Sequence, residues 1–515
     1  MTTVVSCPGK VLLAGGYLVL DRQHQGFVVS TPSRFYTVVR PSSSSLSSVA
    51  AEERDSFEVK VVSPQFLDGR WDFVAKRDHR RQWTVEPVPT DGSSSNPFVH
   101  LSIQAALQLA SATEPNIQYQ PLEIIIVGSN DFYTQTRSSE TPEPFAPLEC
   151  TIRNVHKTGL GSSAAMTTSL TSSLFLHWTD PSTRLASAPS TSRLPGPDRK
   201  TTELLHNLAQ YVHSLAQGKI GSGFDVSAAV HGSQTYRRFA VECLGDLLER
   251  GTTPASAEEL LSILSPAQNP AWNDAATAGS VTSFALPPHT ILVLADVDAG
   301  SNTPSMVGKV LQWKNTQPEE AARVWTALAR ANEGLRDVSR ELSDAAARDE
   351  EAYAAEVSRL AGLPAIEWTK SALPFSAAVE CILRTRALMR EMGSASDVPI
   401  EPAEQTRLLD TCSALPGVIG AGVPGAGGYD AVWVLCFDPP SPSPSSQPSR
   451  STSVPPRPAA AVETLLRSYS EMSVGPLAKS AWVRGGTFEG EAGLLRERCE
   501  EVPGLVEAVE RAKQY

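Results

Sequence analysis

Three observations in the sequence predict an α+β fold. Strand-like runs rich in Val, Ile and aromatic residues crowd its N-terminal part, helical periodicity takes over from Ser162, and the two then mix without a regular strand–helix alternation. A chain of 515 residues exceeds the roughly 100–200 residues of one ordinary domain. More than one unit is therefore expected around a sizeable apolar interior.

Taken in order, VVSCPGKVLLAG (4–15), FVVSTPSRFYTVV (27–39), SFEVKVVS (56–63) and LEIIIVG (122–128) read as strands. SSAAMTTSLTSSLFLHW (162–178) reads as a helix. So does ELLHNLAQYVHSLAQG (203–218), whose apolar positions 204, 205, 208, 212 and 215 keep a helical period and whose Gly218 suits a C-cap. HTILVLADV (289–297) is a buried-type strand, long amphipathic stretches follow over 319–363 and 376–393, and GVIGAGVPGAGGYDAVWVLC (417–436) ends as a strand. Ser/Pro-rich stretches at 40–54, 90–97, 135–147, 179–200 and 437–458 bury too little apolar surface to offset their ordering entropy, and read as insertions on a smaller fold. There is no internal repeat.

Hydrophobic residues make up 41% and charged residues 19% of the chain, an ordinary balance for a globular protein. Its net charge of −12 opposes nucleic acid and anionic membranes as partners, so an anionic substrate needs a local basic cluster. The cysteines at 7, 150, 243, 381, 412, 436 and 499 are scattered and never in C-x-x-C spacing, which argues against a disulfide framework or a zinc site. The N-terminus lacks the basic region of a signal peptide, no run of 18 apolar residues occurs, and the chain ends RAKQY, without a peroxisomal or retention signal. The expected compartment is the cytoplasm.

HKTGLGSSAAMTTSL (156–170) gathers small residues at the mouth of a predicted helix. A helix N-terminus carries unsatisfied N–H groups and partial positive charge, so a loop without Cβ bulk lets an anion reach the backbone. Gly159 and Gly161 supply that access, and the hydroxyls of Ser162 and Ser163 suit a phosphate oxygen or a magnesium ion. Close helix packing alone would also account for such a loop. Two further stretches bear on the choice: SCPGKVLLAGGYLVLD (6–21), with Lys10 in a strand, and PGAGGYDAVWVL (424–435), a glycine-rich turn opening onto a strand. Each has an ordinary alternative, a solvated lysine and a plain hairpin.

In this order the three stretches resemble the signature motifs of the galactokinase, homoserine kinase, mevalonate kinase and phosphomevalonate kinase superfamily of small-molecule kinases. AQGKIGSGFDVSAAVHGSQTYRRF (216–239), ADVDAGSNTPSMV (295–307), VPIEP (398–402) and the Ala14-Gly15-Gly16-Tyr17 form of the first motif resemble the eukaryotic, fungal-type phosphomevalonate kinase branch. Mevalonate kinases and galactokinases fit less well at RNVHKT and at Gly15-Gly16-Tyr17. The resemblance spans the chain apart from the Ser/Pro-rich stretches. It implies two α+β lobes: an N-terminal, ribosomal S5-like lobe over 1–240 carrying the phosphate loop, and a C-terminal, ferredoxin-like lobe over 280–515.

The implied reaction transfers a phosphoryl group from ATP, with Mg2+, to 5-phosphomevalonate, a step of isoprenoid and sterol supply. By position in the motifs, Lys10 and Asp225 match the catalytic pair. Lys157, Gly159, Leu160, Gly161, Ser162, Ser163 and Ala164 match the ATP phosphate loop, with Ser163 as a magnesium ligand, and Gly425, Gly427 and Gly428 match the third motif. Lys10, Tyr17, Ser222, Arg237, Arg238, Ser301 and Thr303 are the expected acceptor contacts, with one of the two adjacent arginines expected to point away. His213 stands where mevalonate kinases carry a magnesium-binding glutamate. Alternatives on the same fold are a mevalonate kinase, a diphosphomevalonate decarboxylase, which would release carbon dioxide, and a non-catalytic sensor.

Overall fold

The computed structural model describes residues 2–42, 55–89, 95–114, 116–134, 143–180, 194–272, 281–297, 303–371, 373–440, 457–486 and 492–515. Most of each expected insertion, and Ser301, lie outside the described residues. The inner borders of these stretches belong to the fold: Asn96 caps the first helix, Phe145 is buried against Tyr36, and Asp198 caps the helix that follows it.

Strands β1 (Thr3–Ala14), β2 (Gly26–Pro41), β3 (Ser56–Val62), β4 (Arg70–Arg77), β5 (Trp83–Val88) and β6 (Leu122–Gly128) form a large sheet in the order β1-β2-β6-β3-β4-β5. All neighbours in this order are antiparallel except β3 and β6. Where β6 leaves β2, β7 (Gln234–Tyr236) pairs with its first residues, and β8 (Val281–Ser283) extends that edge. In β1 the register with β2 slips between Pro8 and Lys10. A bulge there suits a proline, which has no N–H for the ladder, and it re-aims the side chains that follow.

Helices α1 (Pro97–Thr113), α2 (Ser162–Thr179), α3 (Arg199–Gln217) and α4 (Phe224–His231) pack together, with α2 against β1 and β2. Helix α2 is buried on nearly every side, with Thr167, Thr168, Ser169, Thr171, Ser172 and Ser173 fully buried. Small side chains let strands and helices approach it closely, and the Thr171 and Ser173 hydroxyls donate back to carbonyls of their own helix. Helix α3 ends as expected, with Gly218 in the left-handed conformation.

Two short helices, α5 (Gly245–Glu249) and α6 (Ala257–Leu264), lead on to the second sheet. That sheet is antiparallel, in the order β10 (Val418–Gly422), β11 (Ala431–Phe437), β9 (Thr290–Val297) and β12 (Val474–Pro476), with β13 (Val483–Arg484) also on β9. Helices α11 (Ala403–Ser413) and α12 (Pro458–Ser468) build one core with it. The long amphipathic stretch divides into α8 (Pro318–Arg348) and α9 (Glu350–Leu360), because Asp349 caps a new helix. Helix α8 packs on α10 (Phe375–Ser396), and α7 (Thr303–Thr316) closes a core with both that includes Tyr17 and Leu18.

The range 280–515 expected for a C-terminal lobe departs from the structure at both ends. Its start, β8, belongs to the large sheet, and its last residues return there: β14 (Leu495–Arg496) pairs with β1, and α13 (Leu505–Arg511) packs over Val4, Val38, Val62, Ile125 and Val127. The physical reason is the second face of the sheet. With α2 on one side of β1 and β2, the apolar residues on the other side need their own cover.

Candidate active site

Lys10 leaves the β1 bulge beside the glycine-serine loop. Its main-chain N–H donates to the Leu160 carbonyl at 2.9 Å, and its Nζ donates to the Gly159 carbonyl at 2.9 Å. The ammonium also lies 5.5 Å from the centre of the Phe224 ring. Burial pushes the Lys10 pKa below its ordinary value of 10.5, and the negative charge of Asp225 opposes that shift. The expected pair therefore shares one electrostatic environment. Asp225 sits in the first turn of α4, where its Oδ1 accepts from the Val226 N–H at 3.0 Å. Gly223, not Asp225, is the helix N-cap.

The loop enters α2 through Gly161 at φ 79°, and a Cβ there would stand 2.9 Å from Lys10 Cε. Only glycine meets both demands. Helix α2 begins with no side-chain cap and no acidic residue in its first turn, which leaves the amides of Ser162, Ser163 and Ala164 at a positive helix end. The Ser163 hydroxyl lies 3.1 Å from His213 Nε2, which also receives Gln217 Nε2 at 3.1 Å. Burial holds His213 below its ordinary pKa, which favours the neutral ring, and Nε2 is an acceptor in the tautomer that carries its proton on Nδ1. In that tautomer the Ser163 hydroxyl donates to His213, and its oxygen lone pairs stay available. Lys157 is exposed and bridges to Tyr133 on the strand-like approach to the loop.

The third motif packs on the first. The Gly425 N–H donates to the Leu12 carbonyl at 3.2 Å, the Gly428 N–H to the Ile400 carbonyl at 2.8 Å, and the Tyr17 hydroxyl to the Ala426 carbonyl at 2.8 Å. A Cβ on Gly427 would lie 2.1 Å from the Ile400 oxygen. Lys10, Gly159, Phe224, Gly425 and Ala431 line one cavity of about 180 Å³ between the two sheets. All three motifs converge on it.

A second cavity, of about 670 Å³, is lined by Tyr17, Arg22, Arg237, Arg238, Lys314 and Trp325 among others. Arg238 donates to the carbonyls of Leu20 at 2.9 Å and Gly221 at 2.6 Å, so its guanidinium tethers the loop before α4. Arg237 and Arg238 follow β7 and do not lie within it, and both line the cavity; the expectation that one points away rested on strand alternation. Tyr17 is buried, and its hydroxyl is committed to the glycine-rich turn. Ser222 is half-buried, with its carbonyl taking the Tyr236 hydroxyl at 2.7 Å. Thr303 opens α7. Sequence reasoning missed Phe224, Arg22, Lys314 and Trp325. Lys314 lies 3.0 Å from Asp21 and 4.9 Å from the Trp325 ring centre, and its helix carries no motif.

No family model matches the chain. It is 38% identical over 464 residues to the phosphomevalonate kinase of Aspergillus fumigatus, which covers 85% of this chain and 88% of that protein. It is 37% identical over 473 residues to a peroxisomal phosphomevalonate kinase of Arabidopsis thaliana, with 84% and 90% covered. Among solved structures, a Streptococcus pneumoniae phosphomevalonate kinase in complex with phosphomevalonate and AMPPNP superposes with a TM-score of 0.53 at 15% identity, covering 93% of this chain and 99% of that one. The Lin0012 protein of Listeria innocua gives 0.53 at 16% identity, with 85% and 91% covered. The bacterial structures share the two-lobed fold, and the curated relatives share the sequence over most of their length: the chain belongs to the phosphomevalonate kinase family.

Proposed function

We infer that the chain transfers the γ-phosphoryl group of ATP to (R)-5-phosphomevalonate, giving (R)-5-diphosphomevalonate and ADP. The observation that carries this reading is the convergence of the lysine strand, the phosphate loop and the glycine-rich turn on one cavity, in a chain whose relatives over 84–85% of its length are phosphomevalonate kinases. The attacking atom is an oxygen of the acceptor phosphate. A phosphate monoester has a second pKa of about 6, so that oxygen carries no proton at neutral pH and needs no general base. A P–O bond forms to the γ-phosphorus, the bond from it to the β-bridging oxygen breaks, and ADP leaves with the electron pair.

Repulsion between two anions is then the main barrier, and phosphoryl transfer is served by positioning and fixed positive charge. Lys10 supplies the charge at the mouth of the loop, and the N–H groups that open α2 receive the ATP phosphates. The negative charge of Asp225 favours the protonated form of Lys10. Ser163 fits a magnesium ion that is held mainly by nucleotide phosphates, since magnesium keeps few protein ligands and, with the His213 proton on Nδ1, the serine oxygen's lone pairs are available. When bound, that ion would neutralise charge on the β- and γ-phosphates. His213 itself orients Ser163.

The acceptor carries a carboxylate at the end remote from its phosphate. Arg237, which lines the second cavity with Lys314 and Trp325, supports it as the place for that end. For the compartment we favour the cytoplasm. Seven free cysteines support a reducing one, and among the described residues no helix is long and apolar enough to cross a membrane. The test of the activity is ADP release with ATP, magnesium and each of phosphomevalonate, mevalonate, homoserine and galactose, with products identified by mass. Turnover with phosphomevalonate alone is expected; turnover only with another acceptor, or release of carbon dioxide, contradicts the reading.

A further inference from the structure

A fully buried carboxylate sits behind the glycine-rich turn, in the stretch VPIEP (398–402), and no step of the reaction uses it. The Glu401 side chain is 0% exposed. Its oxygens accept from Arg386 Nη2 at 2.7 Å and Nε at 3.1 Å, from Arg390 Nη1 at 2.5 Å and from Thr406 Oγ1 at 3.1 Å. Arg386 also pairs with Asp410 at 2.9 Å. Such a buried ion cluster adds little stability over well-packed apolar residues of the same volume, because desolvation offsets the attraction. Its hydrogen bonds hold the carboxylate between Arg386, Arg390 and Thr406.

That geometry leads to the site. The residue before Glu401 is Ile400, whose carbonyl takes the Gly428 N–H at 2.8 Å and lies against Gly427 so closely that no side chain fits there. The turn so held donates from Gly425 to Leu12, two residues along β1 from Lys10, and receives Tyr17 at Ala426. Glu401, Arg386, Leu12, Gly16 and Gly425 also wall one small cavity of about 30 Å³. We infer that Glu401, clamped by Arg386 and Arg390, is a positioning residue. It sets the height of the glycine-rich turn against β1 and so the placement of Lys10 opposite the phosphate loop. The inference rests on the reading of Lys10 as the cation of the transfer.

The experiment compares Arg390→Met and Glu401→Gln with the unaltered chain and with Lys10→Met, measuring kcat, KM for ATP, the alkaline limb of the pH–rate profile and Tm. Arg390 is 39% exposed, so Arg390→Met loosens the clamp while Arg386 still pairs with Glu401, and the fold is retained. A misplacement of about 1 Å at a reacting centre can cost about 10²-fold in rate. The expected result for Arg390→Met is a kcat lowered on the order of tenfold, with KM for ATP within about threefold, a displaced alkaline limb and a Tm close to that of the unaltered chain. Glu401→Gln is expected to lose more rate, and if it does not fold, Arg390→Met decides alone. A kcat and pH limb unchanged in Arg390→Met, with Lys10→Met inactive, overturns the positioning role and leaves the site reading intact. A fully active Lys10→Met overturns the site reading itself.

Discussion

Lys10 owes its place to neighbours that lie far apart in the chain: the Gly159 and Leu160 carbonyls, the Phe224 ring and the charge of Asp225. Replacing it with methionine keeps the length and removes the charge, and kcat is expected to fall by about 10²- to 10³-fold, the scale of losing one transition-state contact, with Tm little changed. Its titration gives a second expectation. The reaction needs the protonated form, and burial holds its pKa below 10.5, so the rate falls as pH rises through that lowered value. Asp225→Asn removes the charge that opposes the shift, and a pH–rate profile should show the alkaline limb moved to lower pH; a limb that stays in place would separate the two residues. Arg237→Ala should raise KM for phosphomevalonate more than it lowers kcat. Lys10, Gly161 and Ser163 were legible because small residues and a strand lysine recur in a recognisable order. Phe224 and the Ala426 carbonyl were not, since an ordinary ring and a main-chain oxygen carry no pattern of their own.

Helices α2 and α3 were readable from period and capping residues, whereas α1, β4 and β5 went unassigned beside the Ser/Pro-rich stretches that flank them. The reading of 90–97 as an insertion hid a helix start, because Asn96 and Pro97 are loop residues by composition and a cap and first helical position by structure. Helices α3 and α4 also carry a feature that only packing reveals. The His206 and His231 rings lie 5.2 Å apart between centres. His206 Nδ1 donates to Asn207 Oδ1 at 2.9 Å, and its Nε2 accepts from Gln210 at 3.2 Å. Burial pushes the pKa of His206 down to about 4 and that of His231 to about 3. In the folded chain both stay neutral where an unfolded chain, titrating near 6.5, already binds protons. Stability is therefore fully present above about pH 6.5 and is lost as pH falls toward 4, by on the order of 3 kcal/mol for His206. Thermal unfolding between pH 4 and 7 measures this, and His206→Gln should flatten the dependence; an equally steep curve would point to other groups.

The whole chain closes on itself in a way that no local pattern announced. Residues 492–515 belong in sequence to the second lobe and in space to the first: Arg34 donates to the Ala492 carbonyl at 3.4 Å, Ser6 to Glu497 at 2.8 Å, and Leu505 is fully buried over the large sheet. The continuous apolar run of β6 needs cover on both faces, and α13 supplies it over Ile125 and Val127. Leu505→Ala should cost about 2–5 kcal/mol of stability, read by denaturant unfolding, while kcat per folded molecule is unchanged, because α13 lies behind the sheet from the reacting groups. The lobes thus share their stability through the C-terminal return and their chemistry through the contact of the first and third motifs. Phosphorus NMR of the purified protein with ATP, magnesium and (R)-5-phosphomevalonate tests that chemistry most directly. The account predicts that the acceptor's monophosphate signal is replaced by the two coupled signals of a diphosphate in step with ADP, and that Lys10→Met leaves it in place. A monophosphate signal that persists with the unaltered chain, or is lost equally fast with Lys10→Met, would contradict it.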